Sequence, residues 1–285
     1  MKLLGGKVVL ITGGARGQGR AHAVASARAG ADVVLVDVTS DVARSVQYPL
    51  ATVDDMERTA AMVRDLGQRV LTFDADVRDE TALGAVVDGV VGEFGGIDAL
   101  IANAGIWAGA PVWEIDADDW DEILAINLTG VWKSAKALIP QMISRGSGSI
   151  VVISSSNGLE PGANYAGYAS AKHGVIGLAK NLALELAPHG VRCNVVCPGA
   201  VDTPMMNQPV AIERLLGHPD ATPEQIAMIG SSYHALRTEG FQDPACIADA
   251  AVFLNSDMAR AVTGAVLPVD SGHSILTGVN FTAAM

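Results

Sequence analysis

Seven short apolar runs punctuate the chain: Lys7–Thr12, Ala31–Asp37, Arg69–Asp74, Ile97–Ala102, Gly148–Ser154, Val191–Cys197 and Ala265–Val269. Apolar residues are nearly continuous within each run rather than alternating with polar ones. That is the pattern of a strand covered on both faces. Between the runs, apolar residues recur at helical spacing along Gly19–Gly30, Asp54–Gly67, Glu80–Phe94, Ala117–Arg145 and Tyr168–Ala187. Strand and helix alternating in this order predict an α/β fold. The expected architecture is a single Rossmann-type, doubly wound parallel sheet of about seven strands with helices on both faces. No linker or low-complexity segment divides residues 1–285, so the expectation is one domain.

Two stretches break the rhythm. Val38–Val53 separates the second strand from its helix, where a few residues would suffice, and long loops of this kind are usually functional or disordered. Residues 203–242 follow the sixth strand and contain several prolines with Met205 and Met206. They fall at the carboxyl edge of the sheet, where ligands bind in such folds, and are expected to form a substrate lid.

Composition narrows the partners. The net charge of −12 argues against nucleic acid or an anionic membrane, both of which need basic patches. No apolar stretch approaches ~20 residues, so no membrane span is expected. Met1–Gly6 is too short and too little apolar for a signal peptide. Cys193, Cys197 and Cys246 are too few and scattered for a disulfide framework, and no cluster completes a metal set. A reducing cytoplasmic setting is expected, with Cys193 and Cys197 as small buried strand residues.

Thr12-Gly13-Gly14-Ala15-Arg16-Gly17-Gln18-Gly19 joins the first strand to the first helix. Glycines permit the tight turn and let a pyrophosphate approach the backbone, and the helix N-terminus offers free N–H groups. Asp37 closes the second strand 18 residues after Gly19, at the distance expected of the carboxylate that binds an adenosine ribose. A carboxylate there repels a 2′-phosphate, so NAD is favoured over NADP. Arg16 is a counterweight, since it could meet an extra phosphate. The plain alternative for Asp37 is a solvated carboxylate at a strand end.

Tyr168 and Lys172 lie four residues apart, on one face of a helix. A free phenol has a pKa of ~10, and a nearby cation favours the phenolate, so the pair can make a base. Ser155 lies 13 residues upstream of Tyr168, after an apolar run that would deliver its hydroxyl to the cleft. Tyr165 has Ala169 where a lysine partner would stand, and is assigned to pocket lining or packing. Trp107, Trp113, Leu159, Tyr165, Met205 and Met206 fall near the expected cleft and suit an apolar substrate, although each residue type is also an ordinary core filler. His173, next to Lys172, is assigned to packing or surface.

These motifs, with Asp76-Val77, Ala102-Asn103-Ala104-Gly105, Asn127 and Pro198-Gly199, resemble the short-chain dehydrogenase/reductase family over essentially the whole chain. Ala102 stands where the family often has a first asparagine. The resemblance implies Tyr168 as acid/base, Ser155 holding the substrate oxygen, and Lys172 binding the nicotinamide ribose and lowering the tyrosine pKa. It implies that Asn127 shapes the following helix for a water-borne proton relay. Asp76 and Val77 would border the adenine. Asn103, Ala104 and Gly105 would support the cofactor, as would Pro198, Gly199, Val201 and Thr203. It also implies a homotetramer with the Tyr168–Ala187 helix at one interface, where Ala169, Ala171, Gly174 and Gly177 would allow close approach. The Val38–Val53 insert, with Arg16-Gly17-Gln18-Gly19 and Val262-Thr263-Gly264, resembles the carveol-dehydrogenase-like, mycofactocin-associated branch. That narrower resemblance implies tightly held NAD served by an external redox acceptor. A surface excursion is the plain alternative for the insert.

The expected activity is hydride transfer between NAD and a secondary alcohol or ketone, with an apolar cyclic or terpenoid molecule as substrate. The alternatives are an NADP-dependent ketone reductase and a non-catalytic NAD-binding regulator.

Overall fold

A computed structural model describes residues 2–46, 48–216, 220, 222–237 and 240–276. Parts of the expected lid, and Gln47 of the insert, lie outside the described residues. The seven apolar runs form seven strands: β1 (Val8–Thr12), β2 (Asp32–Asp37), β3 (Val70–Asp74), β4 (Ala99–Ala102), β5 (Gly148–Ile153), β6 (Val191–Pro198) and β7 (Val266–Val269). They make one sheet in the order β3-β2-β1-β4-β5-β6-β7, with every pairing parallel. The continuous apolar pattern follows from this placement. Val8, Leu10, Val34, Val36, Leu100 and Ala102 face one helix layer. Their chain neighbours Val9, Ile11, Val33, Leu35, Ala99 and Ile101 face the other.

The first layer holds α3 (Glu80–Phe94), α5 (Gly130–Arg145) and α6 (Ala166–Leu186). The second holds α1 (Gly17–Arg28), α2 (Val53–Asp65) and α9 (Pro244–Asn255). The chain order reverses across β1, whose neighbours are β2 and β4. Loops leaving β1 and β4 therefore diverge to opposite faces, and a crevice opens between them.

Ala117–Arg145, expected as one helix, is broken. α4 (Ala117–Leu124) passes through a π-helical turn, Ala125–Thr129, before α5 begins. Such turns are uncommon and gather at functional sites. This one contains Asn127, fully buried, whose Oδ1 accepts from Ile106 N at 2.8 Å while Nδ2 donates to Ile106 O at 2.7 Å. The helix is thereby tied to the loop that follows β4.

The insert packs rather than wandering over the surface. Its Ala43, Tyr48 and Leu50 are buried with Val77, Ile106, Ile123 and Ile126, and Met205 packs against the group. Tyr48 Oη accepts from Trp107 N at 3.0 Å, Ser45 N donates to Glu122 at 2.8 Å, and Arg78 donates to Val42 O at 3.0 Å. Arg44 reaches Asp118 at 2.8 Å and Asp116 at 3.3 Å. A capping box of Thr52 and Asp55 then starts α2.

Two further helices, α7 (Pro209–Leu216) and α8 (Pro223–Tyr233), occupy the expected lid region. The small residues of α6 do not all point outward as expected for an interface. Ala171 is fully buried within the chain, and a Cβ on Gly174 would stand 3.0 Å from the Leu128 side chain. Of the four, Gly177 is exposed and Ala169 half-buried.

Tyr48 is the aromatic anchor of the insert. Tyr48→Ala should remove about 3–5 kcal/mol from the packing that holds this segment. The expected outcome is at least ~10-fold faster tryptic cleavage after Arg44, with the rest of the chain still resistant. Unchanged cleavage would mean that Tyr48 does not hold the insert down.

Candidate active site

Thr12 ends β1 and stitches the crevice together. Its hydroxyl accepts from Asn103 N and Ala104 N, both at 3.1 Å, and the Asn103 amide donates to the carbonyls of Thr12 and Gly13, both at 3.0 Å. The loops after β1 and β4 are so close that a Cβ on Gly13 would lie 2.8 Å from Ala104 Cα. A Cβ on Gly19 would overlap the Gly13 carbonyl. Gly17 has φ 54, and a Cβ there would face Thr203 and Pro204 across the groove. Side chains are thus excluded where a pyrophosphate would need bare backbone and the start of α1.

The groove is walled by Gly13, Arg16, Gly17, Gln18, Gly19, Asp37, Asp76, Val77, Asn103, Ala104, Gly105 and Thr203, all expected from sequence, together with insert residues including Val42, Ala43, Tyr48 and Leu50. Pro198, Gly199 and Val201 are not among its walls. Val201 is buried in the second helix-layer core and pairs with Gln242 instead.

Asp37 does more than face the groove. Its carboxylate accepts from Ala15 N and Val38 N, both at 2.9 Å, which fastens the glycine loop to β2. It is not the solvated strand-end group considered above. Burial pushes it up to about 6, against the pull of those two N–H groups and of Arg16. Arg16 does not stand ready for an extra phosphate: its guanidinium donates to Pro49 O of the insert at 2.5 Å. Asp76 is gripped by Arg78, with Nη2 at 2.6 Å. Burial pushes its carboxyl up, but the Arg78 hydrogen bonds and charge hold it below the ordinary value. Val77 fits against Gly130, where a Cβ would lie 2.6 Å from Val77 Cγ2.

Beside this groove, Ser155 follows β5, and α6 presents Tyr168 and Lys172. The Ser155 hydroxyl accepts from Asn157 N at 3.1 Å and lies close enough to the Tyr168 phenol to pull its pKa down. Lys172 is buried, with Nζ donating to Ile153 O at 2.9 Å and lying 5.6 Å from the Tyr168 ring centroid. A Cβ on Gly105 would meet Asn127 Oδ1 at 3.1 Å and Lys172 Nζ at 3.6 Å, so the four expected catalytic residues converge on the end of the groove. Both polar atoms of the Asn127 amide are taken up by Ile106, so its visible role is to fix that loop.

Within the protein alone, burial works against the expected lowering of the phenol pKa. Burial pushes Tyr168 up to about 12, and the Ser155 hydrogen bond opposes this only in part. The phenols of Tyr48, Tyr165 and Tyr233 push in the same direction as burial. Lys172 is itself pushed down to about 8 by burial.

The expected substrate pocket divides. Trp107 and Tyr165 meet edge-on at 5.4 Å between ring centroids, and Leu159 follows the short turn Ser156–Gly158 with 40% exposure. Met205 lies in the groove wall against the insert instead, and Met206 is half-buried in a turn where its N donates to Thr203 O at 3.0 Å. Trp113 stands apart from the groove; it is 81% exposed, donates to its neighbour Glu114, and lines a separate shallow cleft with Pro161, Gly162 and His173. His173 is exposed on α6, as expected. Cys193 and Cys197 are buried β6 residues, as read, and burial pushes their thiols up to about 12 and about 11.

Several site residues were not legible as such. Tyr48 reaches the site from the insert. Tyr233, at the end of α8, pairs its hydroxyl with Ser156 Oγ at 3.2 Å. Its ring stacks on His273 at 3.7 Å, and His273 Nε2 pairs with Glu160 at 2.5 Å. One signal was present in the sequence: the chain has only four tyrosines, and all four belong to this region.

Comparison with known proteins agrees with this geometry. Residues 7–213 match the family model described as short chain dehydrogenase. The chain is 44% identical over 277 residues to (−)-trans-carveol dehydrogenase of Rhodococcus erythropolis, covering 95% of this chain and 98% of the relative. It is 39% identical over 270 residues to an uncharacterized NAD-dependent oxidoreductase of Mycobacterium tuberculosis, covering 94% and 96%. The crystal structure of carveol dehydrogenase from Mycobacterium avium in complex with NAD superposes with a TM-score of 0.91 at 40% identity, over 96% of this chain and 99% of that one. A glycine-lined crevice, a serine–tyrosine–lysine set at its end and similarity along the whole length lead to one conclusion: the chain belongs to the short-chain dehydrogenase family.

Proposed function

We propose that this protein is an NAD-dependent oxidoreductase that interconverts a secondary alcohol and its ketone, with an apolar cyclic or terpenoid-like molecule as substrate. The observation that carries the reading is the convergence of Ser155, Tyr168 and Lys172 on the end of a groove whose β2 wall closes with Asp37. The relatives named as carveol dehydrogenases support the substrate class.

The groove fits NAD. Backbone at Gly13, Gly17 and Gly19 would receive the pyrophosphate, Asp37 the adenosine ribose, and Ala75 to Val77 would flank the adenine. Bound there, NAD supplies the hydride acceptor or donor. The protein supplies placement and proton management. Ser155 orients the substrate oxygen. Tyr168, held protonated by burial, is ready to donate to a ketone oxygen; in the reverse direction it must first give its proton to solvent, a loss that the positive charge of oxidised NAD would favour, and the phenolate then accepts the alcohol proton. Lys172 keeps positive charge beside the ring and braces the end of β5. Trp107, Leu159 and Tyr165 give the substrate an apolar wall. Asp37 disfavours NADP, and the engagement of Arg16 by Pro49 removes the cation that would have offset it. The intact Ser155–Tyr168–Lys172 set favours an enzyme over a non-catalytic regulator.

The insert adds retention. Tyr48, Leu50 and Arg16 close one side of the groove, so cofactor release requires moving a packed segment. Tight retention in turn calls for an external redox acceptor that reaches the cofactor in place.

Three outcomes test this reading. Tyr168→Phe should lower turnover at least ~100-fold with NAD binding retained, measured by steady-state kinetics and calorimetry. Near-normal turnover would remove Tyr168 as the proton carrier.

Discrimination against NADP should depend on pH. The Asp37 pKa is raised from 3.8 to about 6, so its contribution to stability is full below the unfolded value and is lost as pH rises through about 6. The repelling carboxylate appears over the same interval. The ratio of NADP to NAD dissociation constants should therefore grow between pH 5 and 8. The 2′-phosphate ionises at ~6 as well, so the quantity to compare is wild type against Asp37→Asn. An identical pH profile in both would clear Asp37 of the role.

NAD should co-purify with the protein, and replacing Val42–Leu50 with a brief turn should speed NADH release at least ~10-fold in stopped-flow displacement. Rapid release from the wild type, unchanged by the deletion, would leave the insert with a structural role alone.

A further inference from the structure

We propose that Tyr233 is a specificity-determining residue. Together with Ser156 it holds a second substrate oxygen, so the site takes small carbocycles bearing two oxygen functions, such as a diol, hydroxyketone or diketone. The inference rests on the oxidoreductase reading above and extends it to substrate class.

Ser156 Oγ and Tyr233 Oη lie 3.2 Å apart, and either can donate to the other. Two hydroxyls carry two protons, and their mutual bond uses one. Among the described residues, neither hydroxyl has another side-chain acceptor, so the pair presents a surplus donor and free lone pairs. Ser156 is buried and Tyr233 half-buried, so a donor left unmatched there against an apolar ligand is costly.

The location ties that donor to the reaction. Ser156 is the chain neighbour of Ser155, and the Tyr233 phenol is near enough to act electrostatically on both Tyr168 and Tyr165. In the proposed pose the reacting oxygen would sit on Ser155 and Tyr168, the ring against Trp107, Tyr165 and Leu159, and the second oxygen on the Ser156–Tyr233 pair.

The phenol is also held in place, as recognition of a fixed oxygen requires. The Tyr233 ring stacks on His273 at 3.7 Å with planes 5° apart. His273 Nδ1 contacts Tyr233 O at 2.9 Å, and its other nitrogen meets Glu160 at 2.5 Å. Glu160 is on the loop that carries Ser155 and Ser156, so one chain of contacts positions both hydroxyls. Ala235 N and Leu236 N donate to Ser271 O at 3.0 and 2.9 Å, which ties the end of α8 to the turn that carries His273.

The test compares cyclohexanol with cyclohexane-1,2-, 1,3- and 1,4-diols on the full-length protein with NAD and an artificial electron acceptor. At least one diol should exceed cyclohexanol in kcat/KM by ~10-fold, and the best isomer reports the spacing of the two oxygens. Tyr233→Phe and, independently, Ser156→Ala should each bring that ratio down ~10-fold, mainly through the KM of the diol. The second variant keeps the test open if the first does not fold. Equal use of all four alcohols by the wild type, or a ratio unchanged in both variants, overturns the proposal while leaving the oxidoreductase reading standing. Oxidation of none of them, nor of any larger secondary alcohol, overturns both.

Discussion

The Asn103 amide is the small group on which the rest of the site depends. It donates to the carbonyls of Thr12 and Gly13 at once, while the Thr12 hydroxyl receives the N–H groups of Asn103 and Ala104. These four bonds cross the place where strand order reverses. A parallel sheet opens a crevice there because its loops part company, but the parting must be limited if the floor is to be firm. Thr12 and Asn103 set that limit. Gly13 and Gly19 are then glycines by necessity, since the chain passes itself too closely for a side chain.

A second tier of bonds builds outward from that floor. Asp37 fastens Ala15 of the glycine loop to β2, and Thr59 Oγ1 donates to Ala15 O at 2.6 Å. Arg20 reaches Ala15 O, Thr59 and Asp55, so the start of α1 is braced by α2. On the other side, the π-helical turn places Asn127 against Ile106 and beside Lys172. Tyr168, Lys172 and Asn127 sit on helical elements and Asp37 on a strand, whereas Gly13, Asp76, Asn103 to Gly105 and Ser155 sit on loops. The bonds of Thr12, Asn103, Asp37 and Asn127 tie several of those loops to the regular elements, which is what holds their geometry.

The strands and the principal site residues were legible because their signals are local. A continuous apolar run needs both faces covered, and Val8 to Thr12 or Val33 to Val36 carry that demand in four or five residues. The Thr12–Gly19 loop and the Tyr168/Lys172 spacing are similarly compact. What escaped was non-local or depended on burial. Ala117–Arg145 has the periodicity of one helix, and only the Asn127–Ile106 contact reveals the π-helical turn within it. The phenol pKa followed its enclosure rather than its neighbouring cation. Tyr48 and Trp107 are 59 residues apart, and Tyr233 and Ser156 are 77 apart, so no spacing rule links them. Small residues on α6 looked equivalent in sequence, but Ala171 is turned to the core and Gly177 to the outside.

The single bond from Trp107 N to Tyr48 Oη also joins two regions that chemistry would treat separately. Tyr48 belongs to the segment over the adenosine side, whereas Trp107 touches Tyr165 on the substrate side. Any occupant that steadies Trp107 steadies Tyr48 with it. Linkage is reciprocal: a substrate that tightens the grip on cofactor must itself be bound more tightly when the cofactor is present, by the same factor. The two halves of the cleft are thus joined by one hydrogen bond, and a phenol hydroxyl is the group through which any such coupling would pass.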